Sequence, residues 1–164
     1  LDTTVFPASQ TTLIVKDYTG SPLSVTVSTL IGDVVIGPDC YIGPCASIRA
    51  DFGRFRMGRG SNFQDNCTSH SFSGGEVVIG EYCNIGHGAV LHGAILHDRV
   101  LVGMNAVVMD GAEIHDYSLV AALAFIPAAM EIPPGVVAAG APAKVLRDLT
   151  DQENSGWPTA IATI

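Results

Sequence analysis

Aliphatic residues recur every six positions along most of this chain. The step of six appears in Ile36, Ile42 and Ile48, returns in Ile79, Ile85 and Leu91, and continues through Leu96, Val102, Val108, Ile114, Val120 and Ile126. An amphipathic helix would place apolar residues three and four positions apart, and a half-buried strand would alternate them. Steps of six with glycine, proline or asparagine between them predict short flat strands joined by tight corners. The aliphatic side chains of successive coils would then stack in a narrow core.

The pattern runs from residue 30 to residue 126 and is interrupted once, between Phe52 and Glu76. We predict a coil of strands over residues 29–140, with functional loops in the interruption, because loops on a rigid scaffold commonly carry function. Residues 1–28 are expected to form short strands that cap the coil, and residues 141–164 a C-terminal helix and tail. Val145–Leu149 is interpreted as helical. Thr150 and Glu153 have the form of a capping box, which either starts the helix or is incidental.

Composition and charge narrow the function classes. Apolar residues make up 48% of the 164 residues and aromatic residues 7%, so the core must be built from Val, Ile, Leu and Ala. The net charge is −8, and basic residues cluster only at Arg54, Arg56 and Arg59, which argues against a nucleic-acid partner. The longest apolar run, Leu119 to Ile126, is too short for a membrane span, and no signal peptide is recognised. A cytoplasmic protein without a membrane partner is expected.

The four cysteines, Cys40, Cys45, Cys67 and Cys83, contain no CxxC pair. Each lies in the repeat region, where a small apolar residue is required. They are interpreted as reduced core or turn residues, with a disulfide framework or a zinc knuckle as the alternative.

Three of the five histidines, His70, His87 and His92, lie close together in the sequence. Their spacing is not that of two ligands on one helical face. If each coil closes after about 18 residues, His70 and His87 lie on neighbouring coils at a similar azimuth, with His92 near the following corner. Three neutral imidazoles suit Zn²⁺ and leave the fourth position to water, whose pKa the metal lowers towards neutrality. His97 and His115 are expected to be exposed corner residues.

Six segments in this order and spacing resemble the γ-class carbonic anhydrase family, and within it the subgroup of phenylacetate-degradation thioesterases and carnitine-operon proteins. They are RADFGR from Arg49, NFQDN from Asn62, His70, IGHGAVLHG from Ile85, GMNAVVMDG from Gly103 and GAPAK from Gly140. The resemblance covers roughly residues 30–150. It implies an all-β fold, a single-stranded left-handed parallel β-helix of hexapeptide repeats with a C-terminal α-helix.

The resemblance also implies a homotrimer with a metal at each subunit interface. His70 and His92 would come from one subunit and His87 from its neighbour. Zn²⁺ is the expected ion, with Fe²⁺ or Co²⁺ as alternatives.

Polar residues near the ligands receive roles from the same resemblance. Gln64 would hydrogen-bond the metal-bound water and Asn62 would form a polar wall, although both could instead be ladder residues without a catalytic role. Arg49 and Asp65 would form a buried pair across the interface, with Asp51 in the same network. For these three a structural role is preferred, and loss of one partner of a buried pair would cost roughly 3–5 kcal/mol.

The positions that hold proton-shuttling glutamates in the carbonic anhydrases of this class are occupied here by Phe52 and Ser73. Without a carboxylate there, proton export would limit fast CO₂ hydration. Two reactions of a metal-activated water are therefore expected on a small-molecule substrate: hydration of CO₂ to bicarbonate, or hydrolysis of an acyl-CoA thioester. An acyltransferase, which commonly needs one catalytic histidine rather than three, and a non-catalytic subunit are the alternatives.

Overall fold

The computed structural model describes residues 4–6, 11–14 and 27–156, which form a left-handed parallel β-helix. The predicted fold class is confirmed. The strands are β1 (Thr4–Phe6), β2 (Thr11–Ile14), β3 (Val27–Ile36), β4 (Tyr41–Ile42), β5 (Ser47–Met57), β6 (Asn62–Phe63), β7 (Thr68–His70), β8 (Glu76–Ile79), β9 (Asn84–Ile85), β10 (Val90–His92), β11 (Ile95–Leu96), β12 (Leu101–Val102), β13 (Val107–Val108), β14 (Glu113–Ile114), β15 (Leu119–Val120), β16 (Phe125–Ile126), β17 (Glu131–Ile132), β18 (Val136–Gly140) and β19 (Ala143–Asp148), followed by helix α1 (Asp151–Gly156).

The coils have three faces. The first holds β7, β10, β13 and β16, the second β8, β11, β14 and β17, and the third β4, β6, β9, β12, β15 and β18. Strands β3 and β5 run from the first face into the second, which joins these two faces into one 12-stranded sheet. No helix within the described ranges is long and apolar enough to cross a membrane.

Each face contributes one inward column of side chains, because residues in register on neighbouring coils point the same way. On the third face, Leu101 and Val102 pair with Leu119 and Val120 of the next coil, 18 residues further on. The column there consists of Ile42, Phe63, Ile85, Val102, Val120 and Ala138, all buried. Full burial of one aliphatic or aromatic side chain stabilises a fold by about 1.5–3 kcal/mol, so the repeated column is the main source of stability.

The three corners between the faces are marked by residues in the left-handed region. We call the corner after the first face the first corner, and the next two the second and third corners. Their positive-φ columns are Gly93, Gly111 and Ala129 at the first corner, Asp39, Gly60, Tyr82, Arg99, Tyr117 and Gly135 at the second, and Cys45, Asn66, Gly88, Asn105 and Leu123 at the third. A side chain in this region costs about 1–2 kcal/mol. Amide hydrogen bonds to the preceding coil hold the turns, as in Tyr117 N to Asp98 O at 3.1 Å.

The predicted interruption is a local expansion of the coil at the first corner. The register pairs Val90 with Thr68 and His92 with His70, which are 22 residues apart rather than 18. The sequence-based placement of His87 over His70 is therefore wrong, because it assumed a coil of regular length. His92 occupies that place, and His87 lies at the third corner.

Both ends of the β-helix carry antiparallel strands. β1 and β2 pair with β3, and β18 pairs with β19. Of residues 1–28, predicted to form short strands, the structure describes 4–6, 11–14 and 27–28, and residues 157–164 of the predicted tail also lie outside the described residues.

The helical interpretation of Val145–Leu149 is wrong, because Ala143–Asp148 is a strand that pairs along the open edge of β18. The helix begins at Asp151, and the capping box before it is real. Thr150 N donates to Glu153 Oε2 at 2.8 Å, and Glu153 N donates to Thr150 Oγ1 at 3.3 Å. The hydrogen bonds from Arg147 lower the pKa of Glu153 to about 2.

Candidate metal centre

Two histidines meet at the first corner. His70 ends β7 and His92 ends β10, and the two are register partners on adjacent coils. His70 Nδ1 and His92 Nε2 are 3.3 Å apart. Two imidazole nitrogens bound at about 2.0–2.1 Å to a tetrahedral zinc would be roughly 3.3–3.4 Å apart. The separation of this pair therefore fits two positions of a tetrahedral metal site.

A carboxylate lies close to each ring, and only the one beside His92 is hydrogen-bonded to its ring. His92 Nδ1 lies 2.7 Å from Asp110 Oδ1, a hydrogen bond that needs the proton on Nδ1 and leaves Nε2 as the ligand atom. His70 Nε2 is buried, lies 3.3 Å from Asp51 Oδ1 and makes no hydrogen bond of good geometry. Asp51 in turn accepts a hydrogen bond from Arg49 at 2.9 Å, and this bond holds the pKa of Asp51 below its ordinary value.

The third histidine lies at the other end of the first face. His87 is half-exposed at the third corner, with Nδ1 2.8 Å from Asp65 Oδ2, which leaves its Nε2 free to bind a ligand. Gln64 Nε2 donates to Asn84 Oδ1 at 2.8 Å, and a cavity of about 320 Å³ lies between these side chains and His87. His87, Asp65 and Gln64 therefore share one corner.

Asn62 is buried on the third face, one coil from its register partner Asn84. Neither the oxygen nor the nitrogen of its side-chain amide has a hydrogen-bond partner within the described chain. Leaving a buried polar group unpaired costs about 1–3 kcal/mol, so an internal water that pairs with this amide would be favourable.

The predicted site residues thus form two groups within one chain. The first-corner group holds Arg49, Asp51, His70 and His92, and the third-corner group holds Asn62, Gln64, Asp65 and His87. The three predicted ligands do not converge in a single chain. Arg49 pairs with Asp51 and Asp65 with His87, so the Arg49–Asp65 pair across an interface stays a prediction.

A cavity of about 770 Å³ lies beside the histidine pair, and the loops of the expanded coil form much of it. Neither histidine lines it, but Phe52, Phe72 and Asp110, which contact the two rings, do. Phe52 and Phe72, 60% and 68% exposed, flank the rings of His70 and His92 at centroid distances of 5.8 and 4.9 Å. Ser73, like Phe52, lines this cavity, so the two positions where the γ class carries shuttle glutamates both face it. We call Phe52 and Phe72, the two exposed rings beside the histidine pair, the aromatic entrance.

A separate cluster lies at the second corner. His97 Nε2 is 2.6 Å from Glu113 Oε1, His115 Nε2 is 2.9 Å from Glu131 Oε1, and the two imidazoles stack at 4.6 Å. Among the described residues, His97, Glu113 and His115 are the one group of three whose ligand atoms lie within 4.8 Å of one another, so they could hold a metal ion. The two histidines are half-buried rather than exposed as predicted, because each ring is covered by the other.

Sequence reasoning missed Asp110 and this cluster. Asp110 follows His92 by 18 residues, and His115 and Glu131 follow His97 and Glu113 by the same interval. One regular coil separates each pair, so a search for metal-binding residues 18 apart would have found them.

All four cysteines are free, as predicted. Burial raises the pKa of Cys67 to about 11 and that of Cys83 to about 12. These thiols are protonated at neutral pH and are not poised as nucleophiles.

No protein-family model matches the chain. Carnitine operon protein CaiE of Salmonella agona is 47% identical over 126 residues, and CaiE of Escherichia coli K12 is 44% identical over the same length. Each alignment covers 77% of this chain and 64% of the relative, so the chain spans slightly less than two thirds of these curated proteins. A hexapeptide transferase family protein from Anaplasma phagocytophilum has a TM-score of 0.78 at 34% identity, over 81% of this chain and 78% of that one.

Proposed function

The chain belongs to the hexapeptide transferase family and is a homologue of the carnitine operon protein CaiE, and we propose that it is a metal-dependent enzyme acting on a small carbonyl electrophile. The metal would be held between subunits of a homotrimer by His70 and His92 of one subunit and His87 of the next. The observation that carries the proposal is the 3.3 Å separation of His70 Nδ1 and His92 Nε2.

The residues present fit such an ion. Neutral imidazoles suit Zn²⁺, Fe²⁺ and Co²⁺, and two of them already stand at the spacing of adjacent ligands. Two ligands from one chain are too few, and His87 offers a third at the opposite end of the same face. A closed three-fold ring brings one end of this face in each subunit against the other end in its neighbour. The division of ligands between two corners therefore supports a site shared by subunits.

When bound, the metal would polarise a carbonyl oxygen and lower the pKa of a coordinated water. The protein residues would supply orientation. Asp110 and Asp65 keep the protons of His92 and His87 on Nδ1 and away from the ligand nitrogens. Gln64, an uncharged amide, would position the attacking water without changing its charge.

The cavity favours a thioester over CO₂ as the substrate. Its volume of about 770 Å³ matches pockets for molecules far larger than CO₂, and its lining combines the aromatic Phe52 and Phe72 with the cationic Arg54. In the hydrolysis, the water oxygen would bond to the carbonyl carbon, the carbon–sulfur bond would break, and the thiol would leave with a proton. Phe52 and Ser73 provide no carboxylate for the rapid proton export that CO₂ hydration needs.

CO₂ hydration is the second candidate. The all-imidazole ligand set is the one that carbonic anhydrases use, which favours this reaction on the metal side. An acyltransferase on the same scaffold is a further candidate, since the Anaplasma phagocytophilum relative is named a hexapeptide transferase family protein. Such an enzyme would need only one catalytic histidine. The pairing of His70 with His92 supports the metal site instead.

Subunit mixing tests the shared site. The His87→Ala and His92→Ala variants should each be inactive, while heterotrimers refolded from equal amounts should recover about a quarter of the wild-type activity, because random assembly leaves one interface in four intact. Activity is followed by release of free thiol from several acyl-CoAs and by stopped-flow CO₂ hydration, with zinc-loaded and iron-loaded protein. Each variant refolded alone is the control. Absence of recovery excludes a shared site, and inactivity of the wild type on both substrates excludes the proposed enzyme.

A further inference from the structure

The second corner carries a ladder of alternating histidine and glutamate that the proposed reaction does not use. We call His97, Glu113, His115 and Glu131 the outer ladder. The first-corner group, with His70 and His92, and the third-corner group, with His87, occupy the corners at either end of the first face. The outer ladder lies at the remaining corner of the triangular coil. A metal held by His70, His87 and His92 therefore cannot be the one held here.

The ladder places like charges directly opposite each other. Glu113 and Glu131 are register partners on the parallel strands β14 and β17, an arrangement that is unfavourable unless something compensates it. Each carboxylate lies against an imidazole Nε2, Glu113 against His97 and Glu131 against His115. The outer ladder thus brings two imidazole nitrogens and two carboxylates close together on three consecutive coils.

The surroundings of the ladder favour a cation. Asp98 and Asp116 directly follow the two histidines, and one carboxylate oxygen of each accepts a hydrogen bond from a backbone amide of the preceding coil. The nearby basic residue Arg99 is turned aside, with its guanidinium 5.0 and 5.5 Å from the rings of Tyr82 and Tyr117. The corner is therefore acidic, and its field attracts cations.

We propose that the outer ladder binds a divalent first-row transition-metal ion. His97 Nε2, His115 Nε2 and a carboxylate oxygen of Glu113 are the ligands, and Glu131 is the fourth ligand or the hydrogen-bond partner of His115. A mixed set of imidazoles and carboxylates suits Zn²⁺, Co²⁺, Ni²⁺ and Cu²⁺, whereas Mg²⁺ and Ca²⁺ prefer sites built from oxygen alone. The ion would tie β11, β14 and β17 together and stabilise the folded coil by mass action.

Calorimetric titration of metal-stripped, tag-free trimer with Ni²⁺ tests this site. In the His92→Ala background, which disables the proposed catalytic centre, we expect one equivalent of Ni²⁺ per chain. Adding His97→Gln and His115→Gln should abolish that equivalent, and Glu131→Gln alone should weaken it about ten- to hundredfold. The matched control is Glu81→Gln, which removes an exposed acid from the same corner and should leave the equivalent intact. Unchanged Ni²⁺ binding in the ladder variant, or an equal loss in the control, would overturn the proposal.

A second measurement locates the ion without altering a ligand. Paramagnetic Ni²⁺ added to the His92→Ala trimer should broaden the amide resonances of residues 96–98 and 114–116 first, and Mg²⁺ should not. Broadening that begins at the first or third corner would contradict the outer ladder. Because the calorimetry and the spectra are recorded without the catalytic centre, failure of this site and failure of the proposed enzyme are distinguishable.

Discussion

The first and second corners both bring two histidines together from consecutive coils, yet they arrange them differently. At the second corner His97 and His115 are 18 residues apart and their rings stack nearly parallel, 21° between planes. At the first corner His70 and His92 are 22 residues apart, their rings are inclined by 60°, and two nitrogens face each other. A regular coil repeats the direction of a side chain, so equivalent rings stack.

The extra residues of the expanded coil change that outcome. They bring Asp51 close to His70 and place Phe52 and Phe72 in edge contact with the two histidine rings, beside a cavity that the same loops line. The core beneath is the same at both corners, since Leu91 and Ile114 are fully buried members of aliphatic columns. The comparison shows that loops added outside an unchanged core can replace a regular stack of side chains with a pocket.

The largest effect is expected from His92→Ala. This change removes one of the two proposed ligands at the first corner, so the protein should lose the metal proposed there and its turnover should fall to the background rate. Elemental analysis and the thiol-release assay measure both. Circular dichroism should remain that of the wild type, because His92 lies outside the aliphatic columns. If the His92→Ala variant retained all of this metal, His92 would not be a ligand and the contrast between the first and second corners would fail.

Phe52→Glu should have the next largest effect. A carboxylate beside His70 would accept protons, and general acid–base groups contribute about 10²–10⁴-fold, so CO₂ hydration should rise by about a hundredfold. Stopped-flow measurements with the Phe52→Gln variant as control separate proton transfer from side-chain size. An equal rise in both variants would show that the rate depends on the size of the side chain at position 52 rather than on proton transfer by a carboxylate.

Asp110→Asn should weaken metal binding at the first corner about ten- to hundredfold. The neutral amide can present its NH₂ group to His92 Nδ1 and favour the wrong tautomer, which places a proton on the ligand nitrogen. Competition with a chromophoric chelator measures the affinity. The control is Asp39→Asn, an exposed change at a left-handed position (φ 59°) that asparagine tolerates, and it should leave the affinity unchanged.

The smallest effects are expected from replacing one glycine of the expanded coil, Gly53, and one glycine of a regular corner, Gly135, with alanine. A Cβ on Gly53 would overlap Ser71 Oγ and the Gly75 carbonyl oxygen, and such overpacking should cost about 3 kcal/mol. A Cβ on Gly135 meets open space, so Gly135→Ala should cost only about 1 kcal/mol for its positive φ. Urea unfolding at one fixed trimer concentration compares them. Equal losses of unfolding free energy in the two variants would mean that the expanded coil is packed no more tightly around Gly53 than the regular corner is around Gly135.

The sequence predicted the coil well, because stacking of Ile, Val and Leu at every sixth position determines it. The resemblance predicted that His70 and His92 lie together in one chain, and their role as metal ligands stays a prediction. The spacing argument placed His87 wrongly, since the 22-residue coil becomes visible only once strands are paired. Val145–Leu149 looked helical because local propensity cannot reveal the open edge of β18 that binds this segment as a strand.

The antiparallel pairing of β18 with β19 also bears on how these molecules behave at high concentration. A solenoid whose last rung were bare would present a ready template for another copy, and end-to-end fibres could grow from it. On the third face β19 occupies that template along Val136–Gly140, with Lys144, Arg147 and Asp148 exposed, whereas β16 and β17 are the outermost described strands of the other two faces. Charged side chains on an edge strand discourage pairing with another copy, so on the third face the hairpin opposes end-to-end assembly as well as closing the core.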